Sequence, residues 1–174
     1  MFNYLKSLFF GAPENENKPL NLYQYKFLRF KEERDRIYPL SLSKVKVCCE
    51  KDLVSVVLPV YNGEELMGES IKSVLSQSYE NLELIIVNDG SKGNTLSIAR
   101  EFERQDKRVR VIDKPNERLP KTLSRGFSEA RGEFLTWTSD DNIMDTNFIE
   151  KMVEDLKSKP ETAMVYANMR LIDK

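Results

Sequence analysis

The 174-residue chain contains no histidine. That absence removes Ser-His-Asp and Cys-His catalysis, imidazole-ligated zinc and imidazole proton shuttles, and leaves acid–base and metal chemistry to carboxylates. Cysteine is nearly absent too. The two cysteines, Cys48 and Cys49, are neighbours, a spacing that rarely reaches disulfide geometry and supplies too few thiolates for a zinc site. They read as the reduced thiols of a cytoplasmic protein. No run approaches the roughly 20 apolar residues that a bilayer-spanning helix needs. Neither sign of charge dominates: 27 Lys+Arg against 28 Asp+Glu leave a formal net charge of −1, so no global basic field recommends nucleic acid as a partner.

What is present is an ordinary globular composition, 40% hydrophobic and 32% charged, in a length that suits one domain with an extension. Residues 1–50 read as that extension. Residues 1–10 are greasy but short, and Phe2, Leu5 and Phe9 share one helical face. A docking helix or a disordered end is the first reading, and peripheral membrane contact the alternative. Residues 11–19 are polar and turn-rich, as a linker is. Tyr23, Phe27 and Phe30 recur at helical spacing, which predicts an amphipathic helix over residues 23–38, stopped by Pro39.

From Asp52 the pattern becomes an alternation of strands and helices. Leu53-Val-Ser-Val-Val-Leu58 is a continuous apolar run, as a buried parallel strand requires. Met67, Ile71, Val74 and Leu75 mark one face of a helix. Residues 82–87 give a second strand, 95–105 a second helix and 109–112 a third strand. Leu119, Leu123, Phe127 and Ala130 mark a third helix ended by Gly132, and residues 133–138 a fourth strand. Asn147 with Glu150 resembles a capping box for a helix buried through Ile149, Met152, Val153 and Leu156, and residues 163–167 close as a fifth strand. This order predicts an α/β fold with a mostly parallel sheet and helices on both faces.

Ligands of such sheets lie at the carboxyl ends of the strands, and three ends here carry polar groups. The first gives Pro59-Val-Tyr-Asn-Gly63, where Tyr61 can stack on a base and Asn62 can hydrogen-bond. The second gives Asn88-Asp-Gly-Ser91, and the third Thr138-Ser-Asp-Asp-Asn142. Each alone is common turn chemistry; all three at one end of a sheet are not. Paired carboxylates are hard ligands that suit Mn²⁺ or Mg²⁺ and, through the metal, a phosphate. Other classes fit less well. A nucleotidyltransferase wants a Gly-rich basic loop after its first strand, a phosphorelay receiver does not place its acids after the fourth strand, and the dinucleotide G-x-G-x-x-G turn is missing.

Together these residues resemble the inverting family-2 glycosyltransferases. The match runs through Val54-Ser-Val-Val-Leu-Pro-Val-Tyr-Asn62, Ser73-Val-Leu-Ser-Gln77, Glu83-Leu-Ile-Ile-Val-Asn-Asp-Gly-Ser91, Pro115-Asn116, Ala130-Arg-Gly-Glu-Phe134 and Ser139-Asp-Asp141, over residues 53–174. The Ser139–Asn142 variant is similar to that of enzymes of spore-coat polysaccharide synthesis. The resemblance implies a GT-A fold, a Rossmann-like α/β/α sandwich over residues 51–174, and transfer of a sugar from a nucleoside-diphosphate sugar, UDP- or dTDP-linked, to a saccharide or lipid-linked acceptor. It implies that Pro59 and Tyr61 line the base pocket, that Asp89 accepts from the base N–H, that Asp140 reaches the ribose or sugar and that Asp141 ligates Mn²⁺ or Mg²⁺. Arg118, where many members have glycine, faces the nucleotide in some relatives, and Lys121 is a weaker candidate for the same role. The chain departs from the pattern at Gly93 and Thr138, where members often carry acids. Members also continue into an acceptor-binding half that carries the general base. The chain is therefore read as C-terminally truncated, its general base expected beyond Lys174, with a non-catalytic nucleotide-sugar-binding module as the alternative.

Overall fold

A computed structural model describes residues 25–29, 49–159 and 161–168. Its strands are β1 (Tyr25–Arg29), β2 (Glu50–Val60), β3 (Leu82–Asp89), β4 (Val109–Lys114), β5 (Gly132–Trp137) and β6 (Met164–Ala167). Its helices are α1 (Met67–Leu75), α2 (Thr95–Gln105), α3 (Arg118–Ser128) and α4 (Phe148–Ser158). The six strands form one sheet in the order β4-β3-β2-β5-β1-β6. β2 lies parallel between β3 and β5, and β3 lies parallel to β4. β1 is antiparallel to both of its neighbours, so β6 runs in the same direction as the others.

Even-numbered residues of β2, Val54, Val56, Leu58 and Val60, point into the larger core with Met67 and Ile71 of α1, Ala99 of α2 and Ile149, Val153 and Leu156 of α4. Val57, Ile85 and Val87 point the other way, against Leu123 and Phe127 of α3. The expected helices on both faces are therefore present, distributed three to one. Each fully buried Leu, Ile or Met contributes about 1.5–3 kcal/mol, and Phe134, Leu58, Met67 and Ile71 are among those fully buried. Pro59 is compatible with a central strand because of where β5 stops. The Val57 carbonyl accepts from Thr138 N–H at 3.0 Å, so odd residues of β2 bond toward β5. Pro59 is next in that series, past the end of β5 at Trp137, so its missing N–H removes no bond from within the β2–β5 ladder.

Three local expectations are corrected. Residues 25–29 form a strand, not part of a helix: aromatic Tyr25 and Phe27 suit a strand, and without β1 the far edge of β5 would be left unpaired. The N-terminal stretch thus contributes to the sheet itself. The rest of the 23–38 helix, the linker and the 1–10 segment lie outside the described residues. Gly132 does not end α3, which stops at Ser128, but opens β5; a Cβ there would sit 2.5 Å from the Leu53 carbonyl oxygen. The Asn147–Glu150 capping box does not form. Gln77 Oε1 takes the Ile149 N–H at 3.0 Å, the amide an N-cap side chain would serve, and Glu150 accepts instead from the Ser78 hydroxyl at 2.8 Å. Among the described residues no helix is long and apolar enough to cross a membrane.

Candidate functional site

The three polar strand ends do meet at one mouth of the sheet. Val60 is in register with Asn88, so Tyr61 and Asp89 leave β2 and β3 side by side. Asn62 ties the two loops together: its N–H donates to Ser91 Oγ at 2.9 Å and its Oδ1 accepts from Lys92 N–H at 2.9 Å. The side chain that was a candidate ligand contact thus holds the loop, with its own backbone in the left-handed region (φ 57°), which asparagine tolerates. Tyr61 remains 51% exposed at the rim, as a stacking surface must be. Pro59 is buried within β2, two residues before Tyr61.

Asp89 is placed differently from an open acceptor. It is only 4% exposed, and its Oδ1 accepts from Lys114 Nζ at 2.5 Å and from Glu117 N–H at 2.9 Å. Burial pushes its carboxyl up, but the Lys114 ammonium, the Glu117 amide and the Thr122 hydroxyl outweigh burial and hold it below the ordinary value. Lys114 is itself 10% exposed and donates also to the Pro115 carbonyl at 2.9 Å. The expected base acceptor is therefore held through one oxygen by a lysine that the sequence reading passed over. The same clasp delivers α3 to the mouth: Arg118, one residue after Glu117, is exposed with φ 69°. Lys121 is paired with Glu117 at 3.0 Å.

On the other side of β2, Asp140 and Asp141 follow β5 and enter a cleft of about 420 Å³ lined also by Asn62, Gly63, Glu64, Glu65 and Leu66. Asp140 is half-buried and Asp141 exposed. Burial, with the neighbouring Asp141 charge, pushes the Asp140 carboxyl above the usual range. Gly63 is what lets it in: a Cβ at that position would lie 2.2 Å from Asp140 Oδ2. The departure at Gly93 also has a local cause. Its φ is +80° and a Cβ there would lie 2.2 Å from Glu64 Oε1, which accepts Asn94 N–H at 2.6 Å.

The cleft thus presents four carboxylates and no cationic side chain. Such a wall repels a bare diphosphate, whereas a divalent cation between the two is attracted to both. Among the described residues no three acids converge closely enough to cage a metal unaided, so a cation held by the Asp140–Asp141 pair has to complete its shell from substrate or water, the usual habit of Mg²⁺ at phosphate sites. Sequence reasoning found this pair but missed Gly63, Glu64 and Lys114; only the first had a signal, as a glycine directly after the polar end of a strand.

An uncharacterized glycosyltransferase of Rickettsia felis is 39% identical over 124 residues, 70% of this chain; the chain spans 20% of that relative's length. Two solved structures share the fold at 22% identity. S. aureus TarS 1–349 in complex with UDP matches 62% of this chain and 32% of its own, with a TM-score of 0.57. The mannosyltransferase PcManGT from Pyrobaculum calidifontis in complex with GDP-Man and Mn²⁺ matches 59% and 32%, with a TM-score of 0.56. The sheet is accordingly of the GT-A type. The glycosyl transferase family 2 model aligns with residues 55–173, which takes in the C-terminal half of β2, the acid-bearing mouth and β6, and on that match the chain belongs to glycosyl transferase family 2.

Proposed function

We propose that the mouth of this sheet binds a nucleoside-diphosphate sugar, UDP- or dTDP-linked, through a divalent cation at Asp141, and presents the sugar for inverting transfer to an acceptor hydroxyl. The observation that carries the reading is the cleft of four carboxylates with no cationic side chain, in which burial and the Asp141 charge push the Asp140 carboxyl up. In this assignment Tyr61 stacks on the base with Pro59 lining its pocket, Asp89, held by Lys114, accepts from the base N–H, and Arg118 faces the nucleotide. Asp140 lies toward the ribose or sugar. Mn²⁺ or Mg²⁺ bound there would neutralise the charge that grows on the departing diphosphate. The acceptor oxygen forms its bond to the anomeric carbon as the bond to the diphosphate breaks, and the hydroxyl proton passes to a base that no described residue is assigned. Mn²⁺ in the mannosyltransferase complex and UDP in the TarS complex support the choice of ligands.

The test is calorimetric titration of UDP and dTDP with and without Mn²⁺. Wild type should bind more tightly with the metal, and Asp141→Ala should lose about 10- to 100-fold of that gain with its circular dichroism unchanged. Unaltered metal-dependent affinity in the variant would remove Asp141 from the metal. Because the chain spans only a fifth of the Rickettsia felis relative, donor hydrolysis and transfer are to be assayed alongside. Metal-dependent binding without turnover supports the alternative, a donor-binding module.

A further inference from the structure

Helix α1 packs its apolar residues Met67, Ile71 and Val74 into the core, yet Ser70, Ser73 and, just past its end, Gln77 are equally buried. These three polar positions, spaced i, i+3 and i+7, do not face the sheet. They face the connection between β5 and α4 that carries the acidic pair. The Ser70 hydroxyl donates to the Ser139 carbonyl at 2.8 Å. Ser73 Oγ accepts Met144 N–H at 3.1 Å. Gln77 Nε2 donates to the Asp145 carbonyl at 2.8 Å, and its Oε1 accepts Ile149 N–H at 3.0 Å. Ser78, the next residue, donates its N–H to the Thr146 carbonyl at 2.8 Å. The connection therefore has several of its backbone groups satisfied by α1 and the residues just past its end.

The chain of bonds continues to the acid. Ser139, whose carbonyl Ser70 holds, donates its hydroxyl to Asp141 Oδ1 at 2.5 Å, and the Asn142 side-chain amide donates to Ser139 Oγ. One route thus runs Ser70, Ser139, Asp141, with Asn142 fixing the direction of the hydroxyl. An exposed carboxylate loses rotamer freedom when it ligates a metal; a hydroxyl already bonded to one of its oxygens removes part of that cost beforehand and leaves Oδ2 to the ligand.

We infer that Ser139 and the buried polar stripe Ser70, Ser73 and Gln77 are positioning residues for the metal-binding carboxylate Asp141, acting on it through the β5–α4 connection. The inference rests on the metal role proposed above for Asp141. The stripe supports the connection along its length through Ser73 and Gln77, and at its Ser70 end that support reaches a single carboxylate oxygen through Ser139.

The experiment compares the Mn²⁺-dependent gain in UDP affinity, measured by calorimetry, across the 174-residue wild type, Asp141→Ala, Ser139→Ala, Ser139→Thr and Ser70→Ala, with the melting temperature of each. Ser139→Ala and Ser70→Ala should lose about 10-fold of the gain while metal-free UDP affinity stays within about twofold, and Ser139→Thr, which retains the hydroxyl, should recover it. Gln77→Met should act in the same direction. If that variant fails to fold, Ser139→Ala, at a half-buried position, still decides. A full metal gain in both serine variants, with the gain abolished by Asp141→Ala, overturns the positioning role and leaves the metal site standing. Absence of any gain in wild type overturns both.

Discussion

Asp89 and Asp140 leave the two strands that flank β2, and the fold treats them in opposite ways. Around Asp89 the protein supplies its own compensation: a nearly buried lysine and a backbone amide on one oxygen, so that the carboxyl stays ionised despite burial. Around Asp140 it supplies no charged partner, only a backbone hydrogen bond at Asp140 itself. The charge beside it is another carboxylate, Asp141, and burial and that neighbour push in the same direction. On the proposed reading the less compensated acid is the one that attracts an external cation, and two acids that look alike in sequence differ in how far the protein itself balances them.

The comparison breaks most forcefully at Lys114. Lys114→Met strands a buried carboxylate, and losing one partner of a buried pair costs about 3–5 kcal/mol; the midpoint of urea unfolding should fall accordingly. Adding Asp89→Asn should recover part of the loss, and an unchanged midpoint in the single variant would mean that the clasp carries no net stability. On the other side the sign reverses. Asp140→Asn relieves an uncompensated charge and should stabilise the fold by about 1 kcal/mol, while weakening Mn²⁺-dependent UDP binding. A variant that loses stability instead would show that the acid is held by something other than a ligand. Smallest is the effect of pH. Asp89, with its folded pKa depressed, contributes stability that is present above the ordinary value of 3.8 and is lost as pH falls through the folded value. Asp140, with its folded pKa raised from 3.8, lets stability rise as pH falls through its folded value toward 3.8. Unfolding curves of wild type and Asp140→Asn, taken between about pH 7 and about pH 4, should converge toward the acid end; parallel curves would contradict the shift.

The parallel strands and their helices were legible because their apolar runs have one period each. The placement of residues 25–29 was not, since five residues with aromatics two apart satisfy a strand and the longer window satisfies a helix, and only the open edge of β5 decides between them. The acidic pair was legible as chemistry. Its electrostatic state was not, because that depends on Gly63 making room and on no cation lining the cleft. The pairing of Asp89 was hidden for a like reason: Lys114 lies 25 residues away in sequence but beside it across the β3–β4 ladder. Gln77 stood in a quoted motif without a task, and its partners on the 145–149 stretch are invisible to any local reading.

The place of β1 has a consequence for the order of assembly. It pairs with strands that the ribosome delivers more than a hundred residues later, whereas β2, β3 and β4 find partners one crossover away. Contacts of such long sequence separation form late, because loop-closure entropy must be overcome before they return any energy. The described strand made first is thus the one that has to wait, and because β6 reaches the sheet only through β1, the last-made strand waits with it.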